Sequence, residues 1–141
     1  MHEGLRLKAS GGFLLDTNIL LWILLNRNEK ISRRALKIVK AAEPDLHVSI
    51  VSIWEILVKH HAGKLMVAED PDAIIETVRS QEIWRILPLA FNHLSALNTI
   101  DRFTDHTDPF DRMLIAQARA EGLRIVTADE QLSRYDIEVV C

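Results

Sequence analysis

Short apolar runs, each ending in a polar or acidic residue and each separated from the next by a helical segment, constrain this chain more than any other feature. Phe13-Leu14-Leu15 stops at Asp16 and feeds "TNILLWILL"; "LHVS" (46–49) feeds "SIWEILVKHHAG", which Gly63 closes. "IWRIL" (83–87) precedes the helical "AFNHLSALNTI", and "RIVTAD" (124–129) is followed by a final edge run, "IEVV". Further helices are expected over 32–42, over "DAIIETVRSQ" behind Asp70-Pro71, and from Asp108-Pro109 to Gly122, where aspartate caps, proline at the first helical position and a closing glycine mark the ends. Strands joined through helices pair in parallel with right-handed crossovers, so the pattern predicts a three-layer α/β/α fold around a central parallel sheet.

At 141 residues and 48% hydrophobic, the chain is the size of one domain with a real core. We expect residues 13–141 to form it, preceded by a flexible extension, "MHEGLRLKASGG", over 1–12. A formal charge of -3 excludes a protein that coats nucleic acid by bulk electrostatics, so any such contact is local. The single cysteine, Cys141, rules out an intrachain disulfide and a cysteine-based zinc site and fits a cytoplasmic location. The longest apolar run, "ILLWILL", is far short of the roughly 20 residues that span a bilayer. Its apolarity on all sides instead suggests a homodimer contact.

In open α/β sheets, sites lie beyond the carboxyl ends of the strands. Asp16 and Asp129 follow two such ends, while Glu55 and Asp111 lie early in helices that start at the same rim. Each has an innocent reading. Asp16 and Asp129 can cap short helices, Ser52 and Glu55 spell a capping box, and Glu55 pairs with Lys59 at i,i+4. Jointly they suggest more, because converged carboxylates repel unless a cation sits among them. An all-carboxylate donor set suits magnesium or manganese over zinc. His60 and His61 are adjacent and cannot pair on one helical face, and His106 is read as a solvated loop side chain. Thr17, Asn18 and Thr127 are candidates to hold carboxylate rotamers, or simply turn and cap residues.

"LLDTN", "SIWEI", "DPFDR" with "LIAQA", and "IVTAD", in this order, resemble the PIN-domain ribonucleases, in particular the VapC-type toxins of toxin–antitoxin pairs, over about Phe13 to Val140. The resemblance implies a magnesium- or manganese-dependent endoribonuclease and a cognate antitoxin that blocks the site. It carries the family's acidic set onto Asp16, Glu55, Asp111 and Asp129, with Asn18 and Thr127 in support. Asp108 is then an extra acid that holds the helix start while Asp111 faces the metal.

An acidic rim that meets RNA needs basic flanks. Lys59, Lys64 and Arg112 are the candidates, whereas Arg33, Arg34 and Lys37 read as the polar face of an amphipathic helix. Trp22, Trp54 and Trp84 sit in apolar patterns and are expected in core or dimer packing. Two rivals stand beside the nuclease. A phosphatase with Asp16 as nucleophile lacks the second acid of D-x-D, because Asn18 stands there. An inert PIN-like module would bind RNA or a partner without cutting.

Overall fold

The computed structural model describes residues 12–41, 45–65 and 70–141. Strands β1 (Phe13–Leu15), β2 (Leu46–Ser49), β3 (Arg85–Leu87), β4 (Arg124–Val126) and β5 (Val139–Val140) form one sheet in the order β3-β2-β1-β4-β5. Every neighbouring pair is parallel; Phe13 stands opposite Leu46 on one side and Arg124 on the other. Helices α1 (Thr17–Leu24), α2 (Arg33–Lys40), α3 (Ile50–His61), α4 (Pro71–Ser80), α5 (Phe91–Leu97) and α6 (Pro109–Glu121) complete the expected three-layer fold. The strand order reverses at β1. The chain steps outward through β2 and β3, then returns to lay β4 on the free side of β1, which opens a crevice between the ends of β1 and β4.

Burial on both faces explains why the strands are almost wholly apolar. Phe13 and Leu15 enter a core with Ile19, Leu20, Ile53, Ile56, Val78 and Trp84, while Leu14 between them enters a second core with Leu114, Ile115, Ile125, Leu132 and Tyr135. "ILLWILL" is consumed by the first of these. Ile19, Leu20 and Leu21 are buried, and Trp22 to Leu25 pack half-buried against the same cluster. Among the described residues the large exposed apolar side chains lie elsewhere, on α3 (Ile50, Trp54, Val58), before β3 (Ile83) and around α5 (Leu89, Phe91, Leu94). Trp84 is core, as expected, with Nε1 donating to the Val78 carbonyl at 3.0 Å, but Trp54 is 55% exposed.

Helix starts follow the cap chemistry with one correction. Asp108 Oδ1 accepts from the amides of Phe110 (2.8 Å) and Asp111 (3.0 Å), so the acid before Pro109 is the cap of α6. The capping box expected from Ser52 and Glu55 does not form, because α3 starts at Ile50 and Ser49 caps it, accepting from the Val51 amide at 2.9 Å. A serine at the strand end captures the first free amides before Ser52 is reached, and Ser52 instead accepts a hydrogen bond from Thr17 Oγ1 (2.9 Å) that ties α1 to α3. Ser49 Oγ donates to Gln117 Oε1 (2.6 Å), and Gln117 Nε2 donates to the Pro88 carbonyl (3.3 Å). These buried bonds fix α6 beneath the rim.

The extension over 1–12 lies outside the described residues except for Gly12. That residue is buried, and its carbonyl accepts from the Arg124 amide at 3.1 Å just ahead of β1. Among the described residues no helix is long and apolar enough to cross a membrane. At the far end of α6, Gly122 takes φ 67 and ψ 35, the left-handed cap that lets its amide reach the carbonyls of Ala118 and Arg119. Gly122→Ala is expected to lower the unfolding free energy by about 1 kcal/mol, read from the urea midpoint at unchanged slope.

Candidate active site

The crevice between β1 and β4 is built around one hydroxyl. Thr127, fully buried one residue past β4, donates from Oγ1 to Asp16 Oδ2 in a short hydrogen bond and accepts from the Asp129 amide at 3.0 Å. It therefore locks two acids from two neighbouring strand ends into one rim. Asp16 spends its other oxygen on α1, accepting from the Ile19 amide at 2.9 Å. Asp129 spends Oδ1 on the Gln131 amide at 2.9 Å, capping the 3-10 turn Glu130–Arg134 that leads to β5. Each acid is thus both a cap and a member of the cluster.

Glu55 comes up from the second turn of α3. It is 3% exposed; Oε2 accepts from Lys59 Nζ, while Oε1 is buried with no hydrogen-bond partner among the described residues. Asp111 comes from the first turn of α6, half-buried and without a cap duty, since Asp108 carries that. His106, in the loop before α6, is 10% exposed; its Nε2 lies 3.5 Å from Asp111 Oδ2. The expectation that this histidine is solvated is corrected. The ring is enclosed because Nδ1 lies 2.7 Å from the hydroxyl of Tyr135, a residue 29 positions on that no local pattern brings to mind.

The four acids share one electrostatic neighbourhood, and among the described residues the ligand atoms that lie within 4.8 Å of one another belong to His106, Asp111 and Asp129. Asp16 feels the charges of Glu55 and Asp129, and Asp111 feels those of Asp108, Glu55 and Asp16. Burial, reinforced by Glu55 and Asp129 and opposed by the Thr127 and Ile19 hydrogen bonds, raises Asp16 from 3.8 to about 6. Burial, with Asp108, Glu55 and Asp16 adding to it and Lys59 opposing, raises Asp111 to about 7. Lys59 itself loses basicity to burial but regains more from its bond to Glu55 and from the charges of Asp108 and Asp111. Such a cleft fits a divalent cation: the donors are hard oxygens, the Lys59 ammonium that answers them touches Glu55, and Glu55 Oε1 has no hydrogen-bond partner among the described residues.

The remaining residues fall outside the cluster. Asn18 is exposed on the first turn of α1 and makes no hydrogen bond among the described residues. Lys64 is exposed just past α3. Arg112 turns away, donating from Nη1 to the Asp101 carbonyl at 2.9 Å, and lines a cavity of about 610 Å³ with Leu94, Leu97, Arg102, Phe103 and His106. Lys59, expected on an RNA flank, is held on Glu55 by the i,i+4 spacing and keeps 39% of its side chain exposed. Arg33, Arg34 and Lys37 are exposed on α2, as a solvated face requires.

Sheet order and the crevice beside β1 and β4 define an open, parallel α/β domain with acids at its switch point, and the family follows. The family model for the PIN domain matches residues 13–138, and the chain belongs to that family. Among solved structures, it is similar to a chain of DNA-bound VapBC from Salmonella typhimurium, with 18% identity, a TM-score of 0.64 and coverage of 92% of this chain and 96% of that one. A chain of VapBC-1 from nontypeable Haemophilus influenzae gives 16%, 0.62, 91% and 96%. One from a toxin–antitoxin complex of Klebsiella pneumoniae gives 16%, 0.58, 92% and 97%. At such identities the likeness is one of fold. No curated protein sequence matches.

The raised acids set a pH dependence. Asp16 and Asp111 bind their protons more tightly when folded than when unfolded, so their contribution to stability is full below about pH 4 and is lost as pH rises through about 6 and 7. Asp111→Asn removes one of the two. In chelator, its melting temperature is expected to exceed that of the parent by a few degrees above about pH 7 and to converge with it near pH 4; a constant gap at all pH values contradicts the assignment.

Proposed function

We propose that this chain is a metal-dependent endoribonuclease that hydrolyses RNA phosphodiester bonds, acting in the cytoplasm as the toxin of a toxin–antitoxin pair. What supports this reading is that carboxylates from four separate elements feel one another's charge at the switch point of a PIN-family sheet. Asp16, Glu55, Asp111 and Asp129 would hold a magnesium or manganese ion. When bound, the ion supplies Lewis acidity toward a phosphoryl oxygen and makes water a better nucleophile at neutral pH.

The chain's own residues do the rest. Thr127 keeps Asp16 and Asp129 at a fixed separation, and Lys59 holds one oxygen of Glu55 so that the other faces the cleft. Asp108 keeps the first turn of α6 wound, which sets where Asp111 stands. Lys64 and Arg112 are proposed to meet the RNA backbone, Arg112 from the cavity wall, where Leu94, Leu97 and Phe103 offer an apolar seat for an unstacked base. A single strand suits this recess better than a duplex, whose phosphates stay on a wide cylinder.

The fold shared with chains from VapBC complexes supports an antitoxin partner. An arginine from that partner, placed among the acids, would neutralise the cleft and block it. A homodimer is proposed through the exposed apolar residues of α3, Ile50, Trp54 and Val58, which repeat every four positions along one face. An inert binding module is the second reading, favoured by Lys59, which already neutralises part of Glu55.

Cleavage decides between them. Purified protein with single-stranded RNA is expected to cut in manganese or magnesium and to stop in chelator. Asp16→Asn and Asp111→Asn should lower the rate about 100-fold or more, the scale on which one group of a preorganised site is felt. Asp108→Ala should mainly cost about 1 kcal/mol of stability. Cleavage that survives Asp16→Asn, or that fails only in Asp108→Ala, contradicts the assignment.

A further inference from the structure

The acidic assignment leaves one buried polar atom of the cleft unused. His106 Nε2 is buried and makes no hydrogen bond among the described residues, although the rest of the residue is held. Its amide donates to the Phe103 carbonyl at 3.1 Å, its Nδ1 meets the Tyr135 hydroxyl at 2.7 Å, and its ring meets the Tyr135 ring edge-on at 5.4 Å. Tyr135 is buried in turn and packs edge-on against Phe103 at 5.0 Å. A ring so confined has lost its rotamer freedom, and what that confinement achieves is to aim Nε2 into the cleft.

What Nε2 faces narrows its purpose. A ring nitrogen of His106, an oxygen of Asp111 and an oxygen of Asp129 all lie within 4.8 Å of one another. An ion pair with Asp111 needs a proton on Nε2; Oδ2 lies within ion-pair reach at 3.5 Å, but no hydrogen bond joins the two atoms. With the proton on Nδ1, donated to Tyr135 Oη, the Nε2 lone pair is free and points at two carboxylates. That is the condition of a metal-ligating imidazole whose other nitrogen is fixed by a neighbour.

We propose that His106 is a nitrogen ligand of the cation held in this cleft, shared with Asp111 and Asp129 and oriented by Tyr135. The proposal rests on reading the cleft as a cation site and adds a donor outside the acidic set. One nitrogen among oxygens shifts preference toward manganese over magnesium, because imidazole suits transition ions while magnesium keeps to oxygen. The same loop carries Phe103 and Thr107 into the wall of the adjoining cavity, so the ligand also fixes the position of the proposed base seat relative to the ion.

Pulsed electron paramagnetic resonance of the full chain loaded with Mn2+ alone tests this without any turnover. The parent is expected to show bound Mn2+ with hyperfine coupling from a directly coordinated nitrogen, shifted in the expected ratio when the histidines carry 15N. His106→Gln should keep bound Mn2+ through the acids, lose that coupling, and bind Mn2+ about 10-fold more weakly with little change for Mg2+; Tyr135→Phe should fall between. Bound Mn2+ without nitrogen coupling in the parent overturns the proposal and leaves the acidic site standing. Coupling that persists in His106→Gln also overturns it. No bound Mn2+ in the parent overturns the cation reading and this ligand with it.

Discussion

The hydroxyl of Thr127 is the point on which this molecule turns. It sits where β4 ends, donates to Asp16 across the crevice and accepts from the backbone of Asp129, so a single buried side chain sets the spacing of two acids that would otherwise separate. Both strands must be parallel, adjacent and in register for this to occur, and they are: Leu15 lies opposite Val126, and the two chains pass their last paired residues together. Like charges gathered in a half-dry cleft cost stability. The sheet supplies that stability from its two apolar cores, each anchored by side chains of β1 pointing in opposite directions.

Much of the fold was legible because its signals are local. Apolar strand cores, aspartate-proline starts and the Gly122 stop depend on neighbouring residues, and they place β1, β2, α4 and α6 within a residue or two. Strand ends were less legible. "RIVTAD" stops at Val126 because Thr127 takes the Asp129 amide, and "IWRIL" starts at Arg85 because Trp84 turns to the Val78 carbonyl. Nothing within either run announces these partners. The rim positions of Asp16 and Asp129 were legible for a similar reason, since a residue just past a parallel strand has few places to go.

What escaped the sequence is what depends on distant pairs. His106 looks like any loop histidine until Tyr135 closes over it, and Ser49 outcompetes Ser52 as a cap only because β2 delivers it first to the open amides of α3. Trp54 sits in an apolar pattern, yet it lies on the outer face of α3, edge-on to Phe110 at 4.9 Å, so the pattern alone could not tell core from surface. Lys59 carries two signals at once. Its charge suggests RNA, and its i,i+4 spacing to Glu55, visible in the sequence, predicts the ion pair that the structure shows.

Capping and chemistry need not compete for the same acids, because a carboxylate has two oxygens and a helix start asks for one. Asp16 gives Oδ1 to the Ile19 amide and keeps Oδ2 on the cleft side, bonded to Thr127; Asp129 gives Oδ1 to Gln131 and leaves its second oxygen on the rim. The cap bond removes the rotational freedom that would let either acid swing away from its neighbours. On α6 the same two duties fall to different residues, with Asp108 winding the helix and Asp111 facing inward. The division follows from Pro109, which fixes the helix start one residue after Asp108 and so sets Asp111 in the first turn, where its own amide is already satisfied and its side chain is free to join the cluster.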